Sequence, residues 1–119
     1  MKAKSLKISA IDKTASKKVA QMVKNGGVAV VPTETVYGFA ADVFNLSAKK
    51  RIFSLKGRNY KKPLIAMAYD LESLKILVNI SKEALKLAQT FWPGRLTLIL
   101  NTTNIGKIVS GGRADIGVR

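Results

Sequence analysis

The stretch Pro32-Thr33-Glu34-Thr35-Val36-Tyr37-Gly38 places two threonine hydroxyls, a carboxylate and a phenol within five residues. It follows the apolar run Val28 to Val31, and in open α/β sheets ligands gather where strands end. Such a patch can orient a small polar ligand, although a solvated turn with a packed tyrosine has the same composition. A second group, Lys56-Gly57-Arg58 continuing to Lys61-Lys62-Pro63, sets two cations either side of a glycine. Glycine lets the backbone approach a ligand, lysine acts as a point charge and arginine as a bidentate fork, which together suit phosphate. A basic helix C-terminus complementing its own dipole reads the same way. Phe91-Trp92-Pro93-Gly94 reads as a helix stop with packed aromatics. Ser110-Gly111-Gly112-Arg113 could cradle an anion or form a mobile loop. Neither G-x-x-x-x-G-K-S/T nor G-x-G-x-x-G occurs.

Composition narrows the chemistry. The 119 residues contain no cysteine and no histidine, which excludes disulfides, thiolate catalysis, imidazole acid/base work and the usual zinc sites. Lys and Arg number 21 against 7 Asp and Glu, a formal net charge of +14. That balance attracts polyanions such as RNA or nucleotides, while solvated lysines on helix faces account for many single positions. No apolar run reaches the about 20 residues of a membrane span. Met1 to Ala10 alternates lysine with apolar residues and lacks the core of a signal peptide. Absence of cysteine agrees with a cytoplasmic protein.

The elements that position these groups alternate between helix and strand. Ser5 to Ser9 could form a short edge strand, and Asp12 is a candidate N-cap for a helix with Ala15, Val19, Met22 and Val23 on one face. Gly26 and Gly27 supply its stop. Val28 to Val31 reads as a strand buried on both faces, with a short extended piece after Gly38. Ser47 is expected to cap a second helix that Gly57 ends. Leu64 to Ala68 reads as a second buried strand. Asp70 and Ser81 look like caps of two further helices. Leu96 to Leu100 is a third strand, polar only at Thr97. Gly106 to Gly112 reads as a loop, and Ile116 and Val118 begin a last strand. The alternation predicts an α/β domain, a twisted mixed sheet flanked by helices.

Taken together, PTETVYG, then KGR with Pro63-Leu64-Ile65 following, then FWPG-x-LT, then Gly117-Val118-Arg119 resemble the YrdC-like family. Its members are L-threonylcarbamoyladenylate synthases. The resemblance runs in order from about Val28 to Arg119. It implies a basic concave cleft and a reaction joining L-threonine, bicarbonate and ATP, with Mg2+ on the nucleotide and pyrophosphate released. A downstream threonylcarbamoyl transferase would then modify the adenosine next to the anticodon of tRNA. Carried over by position, Thr35 and Arg119 would bind L-threonine, with Arg119 on its carboxylate. Lys56 and Arg58 would meet the phosphates and carry catalysis, Lys62 would join the nucleotide site, and no protein metal cage is implied.

The sequence departs from the family pattern at four places. Lys62 stands where asparagine is usual, Met67 where a histidine of the threonine pocket is common, and Asp115 where threonine is usual. Arg95 replaces a proline and reads as a surface change. Family members also continue past the GVR motif into a Ser-x-Asn segment. Residues 1–119 are therefore expected to be a single YrdC-like domain truncated at the C-terminus, possessing little activity alone. A non-catalytic RNA-binding module of the same fold is the alternative, drawing on the charge of +14. A carbamoyl-adenylate-forming domain related to hydrogenase maturation factors is a third reading, against which the lack of cysteine-rich zinc modules argues.

Overall fold

The computed structural model describes residues 13–57 and 63–119. The candidate edge strand Ser5 to Ser9, the candidate cap Asp12, and the basic residues Arg58 and Lys62 lie outside the described residues.

Helix α1, Ala15–Lys24, directs Ala15, Val19, Met22 and Val23 inward, each half-buried. It ends as expected at the glycine pair: Gly26 takes φ +89°, and Gly27 N–H returns to the Met22 carbonyl at 2.8 Å. Strands β1, Ala29–Val31, and β2, Gly38–Ala40, then pair antiparallel with Ala29 opposite Ala40 and Val31 opposite Gly38. The threonine-rich loop is the connection between them. The expected burial of β1 on both faces does not hold, because only Ala29 is buried while Val30 is 60% exposed. A hairpin packed on one side alternates in this way.

Helix α2, Leu46–Lys56, is capped by Asn45 rather than Ser47: Asn45 Oδ1 accepts the Ala48 N–H at 2.9 Å. An Asn side chain at that position satisfies a free first-turn donor, leaving Ser47 inside the helix. Ala48, Ile52 and Phe53 face inward, and Gly57 closes the helix in the left-handed region at φ +60°. Lys49 Nζ donates to the Val109 carbonyl, and partial burial lowers its pKa.

The main core gathers Ala66, Leu74, Leu77, Val78, Ile116 and Val118, with Trp92, Leu98 and Leu100 packed against it. Strands β3, Leu98–Asn101, and β4, Asp115–Val118, form the ladder above it, with Leu98 opposite Val118 and Asn101 opposite Asp115. Ala66 adds a parallel bridge to Val118, with Ala66 N–H to the Gly117 carbonyl at 2.9 Å and Arg119 N–H to the Ala66 carbonyl at 3.0 Å. The mixed character of the sheet rests on that bridge, and the described strands otherwise form two antiparallel pairs. Leu64 to Ala68 is thus a single bridged residue within an extended piece. Ala66 is buried, while Ile65 and Met67 point to the opposite, exposed face.

Asp70 and Ser81 cap as expected. Asp70 Oδ1 accepts the Ser73 N–H at 2.8 Å at the start of α3, Leu71–Leu74. Ser81 Oγ accepts the Ala84 N–H at 3.1 Å at the start of α4, Lys82–Phe91. The expected loop from Gly106 is instead largely helix, α5, Asn104–Val109, capped by Thr103 Oγ1 on the Gly106 N–H at 3.1 Å. Gly106 is buried against the Leu77 carbonyl, where a Cβ would stand only 1.8 Å away. The glycine therefore serves close packing, and does not break the helix. Among the described residues no helix is long and apolar enough to cross a membrane.

Candidate functional site

The register of β3 and β4 decides which side chains can meet. Ile116 and Val118 enter the core, so by alternation Asp115, Gly117 and Arg119 project from the other face. Thr97, immediately before β3, lies on that same face: a Cβ on Gly117 would stand 3.3 Å from Thr97 Cγ2 and 3.5 Å from Ile65 Cγ1. One step beyond the Leu98–Val118 pair, Thr97 and Arg119 are cross-strand neighbours. Thr97 Oγ1 accepts Arg119 Nε–H at 3.1 Å and Nη2–H at 2.7 Å.

The third guanidinium nitrogen, Nη1, stands 3.6 Å from a Glu34 carboxylate oxygen. Glu34 comes from the loop between β1 and β2. Arg95, in the turn after α4, donates its Nε–H to the Glu34 carbonyl at 3.1 Å. Two arginines from different segments thus hold one residue, by its backbone and by its side chain. Arg95 is exposed, yet its expected role as a mere surface change misses this contact.

Between these groups lies a cleft of about 300 Å³ whose walls include Glu34, Met67, Asp70, Trp92 and Arg119. Its apolar wall includes Met67, Leu71 and the indole of Trp92, which is itself tied by Nε1–H to the Leu96 carbonyl at 2.7 Å. Asp70 Oδ1 accepts both the hydroxyl of Ser73 at 2.6 Å and its backbone N–H, and these bonds hold the carboxyl below its usual pKa. The charged described residues of the cleft are one guanidinium and two carboxylates. A ligand carrying both an ammonium and a carboxylate on a short apolar body matches that set.

Of the site residues expected from sequence, Arg119 lines the cleft, and its side chain is only 16% exposed. Thr35 does not line it; its hydroxyl lies 3.2 Å from that of Thr33, in a loop where Thr33 Oγ1 also bonds the Val36 carbonyl. Lys56 is exposed at the end of α2, away from the cleft walls. The cleft instead brings in Glu34 and, behind Arg119, Thr97. The signal for Thr97 was its position as the one polar residue in an apolar strand. The glycine loop does not form an anion cradle. Gly111 N–H bonds Ile108 and Gly112 N–H bonds Lys107, while Arg113 N–H bonds Ser110 Oγ at 3.2 Å and its guanidinium meets Asp115 at 3.3 Å.

A family model described as "Telomere recombination", Sua5_yciO_yrdC, matches residues 21–119. The chain is 40% identical over 102 residues to a threonylcarbamoyl-AMP synthase of Pyrococcus abyssi, covering 84% of this chain and 30% of that protein. It is 43% identical over 82 residues to the Bacillus subtilis protein of the same name, covering 68% and 24%. The solved structure of P. abyssi Sua5 complexed with L-threonine superposes with a TM-score of 0.84 at 37% identity, covering 93% of this chain and 33% of that one. E. coli YciO superposes with a TM-score of 0.73 at 26% identity, covering 86% and 50%. The chain therefore spans about a quarter to a third of the length of the two curated relatives.

Proposed function

The chain belongs to the Sua5/YciO/YrdC family, and from that premise we propose that it functions in an L-threonylcarbamoyladenylate synthase, with the cleft at Arg119 as its L-threonine site. The observation that carries this reading is the Arg119 guanidinium, held on one edge by Thr97 and turned into the cleft on the other. A P. abyssi relative of the same fold is known as a complex with L-threonine. Arg119 would take the substrate carboxylate, Glu34 or Asp70 its ammonium before carbamoylation, and the loop carrying Thr35 its hydroxyl.

The proposed reaction follows from that placement. The neutral threonine amine adds to CO2 with loss of a proton, or to bicarbonate with loss of water, and an oxygen of the resulting carbamate attacks the α-phosphorus of ATP. The bond to the β-phosphate oxygen breaks and pyrophosphate leaves. The protein's work is positioning and charge neutralisation, which needs neither histidine nor cysteine. Lys56, Arg58 and Lys62 are the proposed phosphate ligands. Among the described residues no group of three or more acidic side chains could hold a metal ion. Mg2+ would be carried mostly by the nucleotide's phosphates and water. The product would pass, in the cytoplasm, to a transferase that modifies the adenosine beside the tRNA anticodon.

The test supplies the protein, as encoded by its whole gene, with ATP, Mg2+, bicarbonate and labelled L-threonine. Pyrophosphate and threonylcarbamoyl-adenylate are expected together, and both should be lost in Lys56→Ala and Arg58→Ala. Normal turnover in either variant overturns the phosphate assignment. RNA binding with no product from the unsubstituted protein would turn the reading to the non-catalytic RNA-binding module.

A further inference from the structure

A guanidinium offers two forks for hydrogen bonding, one through Nε and an Nη and one through the two terminal nitrogens. In Arg119 the first fork closes on a single neutral oxygen, Thr97 Oγ1, at 3.1 and 2.7 Å. A hydroxyl oxygen has two lone pairs and can accept both bonds. A carboxylate in that place would orient the guanidinium equally well but would also neutralise it, weakening its pull on a second anion. Threonine orients the cation without adding a second carboxylate to the one, Glu34, that already stands beside it. The second fork is left toward the cleft, where Nη1 faces Glu34 at the looser distance of 3.6 Å.

The anchor is stiff for reasons of its own. Thr97 precedes β3 in a cross-strand position that the Leu98–Val118 register sets, and a β-branched side chain has few rotamers to choose from. The bare Gly117 beside it lets the Thr97 methyl approach the neighbouring backbone. Arg119 is itself locked at the backbone, with its N–H on the Ala66 carbonyl at 3.0 Å.

We propose that Thr97 is the positioning residue that aims Arg119 at a ligand carboxylate, and that it thereby sets the preference of the cleft for an amino acid over the matching amino alcohol. The inference rests on the L-threonine reading of the cleft. Thr97 touches no substrate in this scheme and acts only through Arg119.

Binding of L-threonine and of L-threoninol, in which a CH2OH replaces the carboxylate, is measured by calorimetry on the unsubstituted protein and on Thr97→Val, Thr97→Ser and Arg119→Ala. Thr97→Val should weaken L-threonine by about 10-fold or more, as expected for loss of hydrogen bonds to a charged group, while threoninol changes little. Thr97→Ser, which keeps the oxygen, should recover most of the preference. Thr97→Ala replaces the valine variant if circular dichroism shows that the latter does not fold. Equal weakening of both ligands, or none, in a variant lacking Oγ while Arg119→Ala loses the preference would overturn the role of Thr97 alone. Unchanged binding of both ligands by Arg119→Ala would overturn the L-threonine reading of the cleft and this inference with it.

Discussion

Arg95 reaches across 61 positions of sequence to donate its Nε–H to the backbone carbonyl of Glu34 at 3.1 Å. The loop that it grips is also held by its own bonds, from Thr33 Oγ1 to Val36 and between Thr33 and Thr35, and by the Glu34 carboxylate on Arg119. The turn after α4 is thereby tied to the connection between β1 and β2, and Glu34 is held over one end of the cleft.

Arg95→Ala should therefore loosen this loop without unfolding the domain. Arg95 is exposed, and a single hydrogen bond from an exposed cation contributes about 1 kcal/mol or less. Global stability should change by no more than that amount. Amide exchange at Thr35 to Tyr37 should quicken several-fold, with the amides of β3 and β4 unaffected. Unchanged exchange in the loop would show that the threonine bonds and the Arg119–Glu34 pair hold it without Arg95.

Asp70 lines the same cleft and links its wall to acid stability. Ser73 lowers its pKa by a hydroxyl bond and a backbone bond to the same carboxylate. Between the folded and unfolded pKa values the unfolded chain binds more protons, so stability rises with pH there. The contribution is present above the unfolded carboxylate value of about 4 and is lost as pH falls through the lower folded value. Asp70→Asn keeps an acceptor for the Ser73 N–H but does not titrate. Its deficit in urea midpoint relative to the unsubstituted protein should be visible at pH 7 and shrink as pH falls below the unfolded carboxylate value of about 4. A deficit that stays constant over that range would remove the carboxylate from the acid limb.

Local signals carried much of the fold. Asp70 and Ser81 were legible as caps because each needs only a first-turn N–H two or three residues on. Gly57 was legible as a stop because a left-handed residue ends a helix there. Gly106 was misread, since a glycine that breaks a helix and one that admits a neighbouring carbonyl are identical in one dimension. The apolar runs Val28 to Val31 and Leu64 to Ala68 overstated burial for a related reason: composition does not tell which faces are covered, and Val30, Ile65 and Met67 are exposed. In the site, two segments singled out in the sequence, the threonine-rich loop and the end of β4, meet at the cleft through Glu34 and Arg119. That Glu34 and not Thr35 reaches the cleft depends on the loop's own turn, and that Thr97 stands behind Arg119 depends on register. Neither is a property of spacing along the chain.

Gly117 provides the most demanding test of that register. A Cβ there would stand 3.3 Å from Thr97 Cγ2, tighter than ordinary contact, so Gly117→Ala must push the Thr97 methyl aside. The strain is confined to one methyl contact and should cost about 1 kcal/mol, the low end of overpacking. Its effect on Arg119 should be larger than its effect on the fold, because a rotated Thr97 no longer presents Oγ1 to both nitrogens. L-threonine affinity should fall several-fold while the thermal midpoint drops by only a few degrees. Adding Thr97→Ser removes the crowded methyl but keeps the hydroxyl, so the double variant should bind better than Gly117→Ala alone. Strict additivity of the two substitutions in binding free energy would mean that they act independently. In that case the Gly117–Thr97 contact would not be what holds the guanidinium in place.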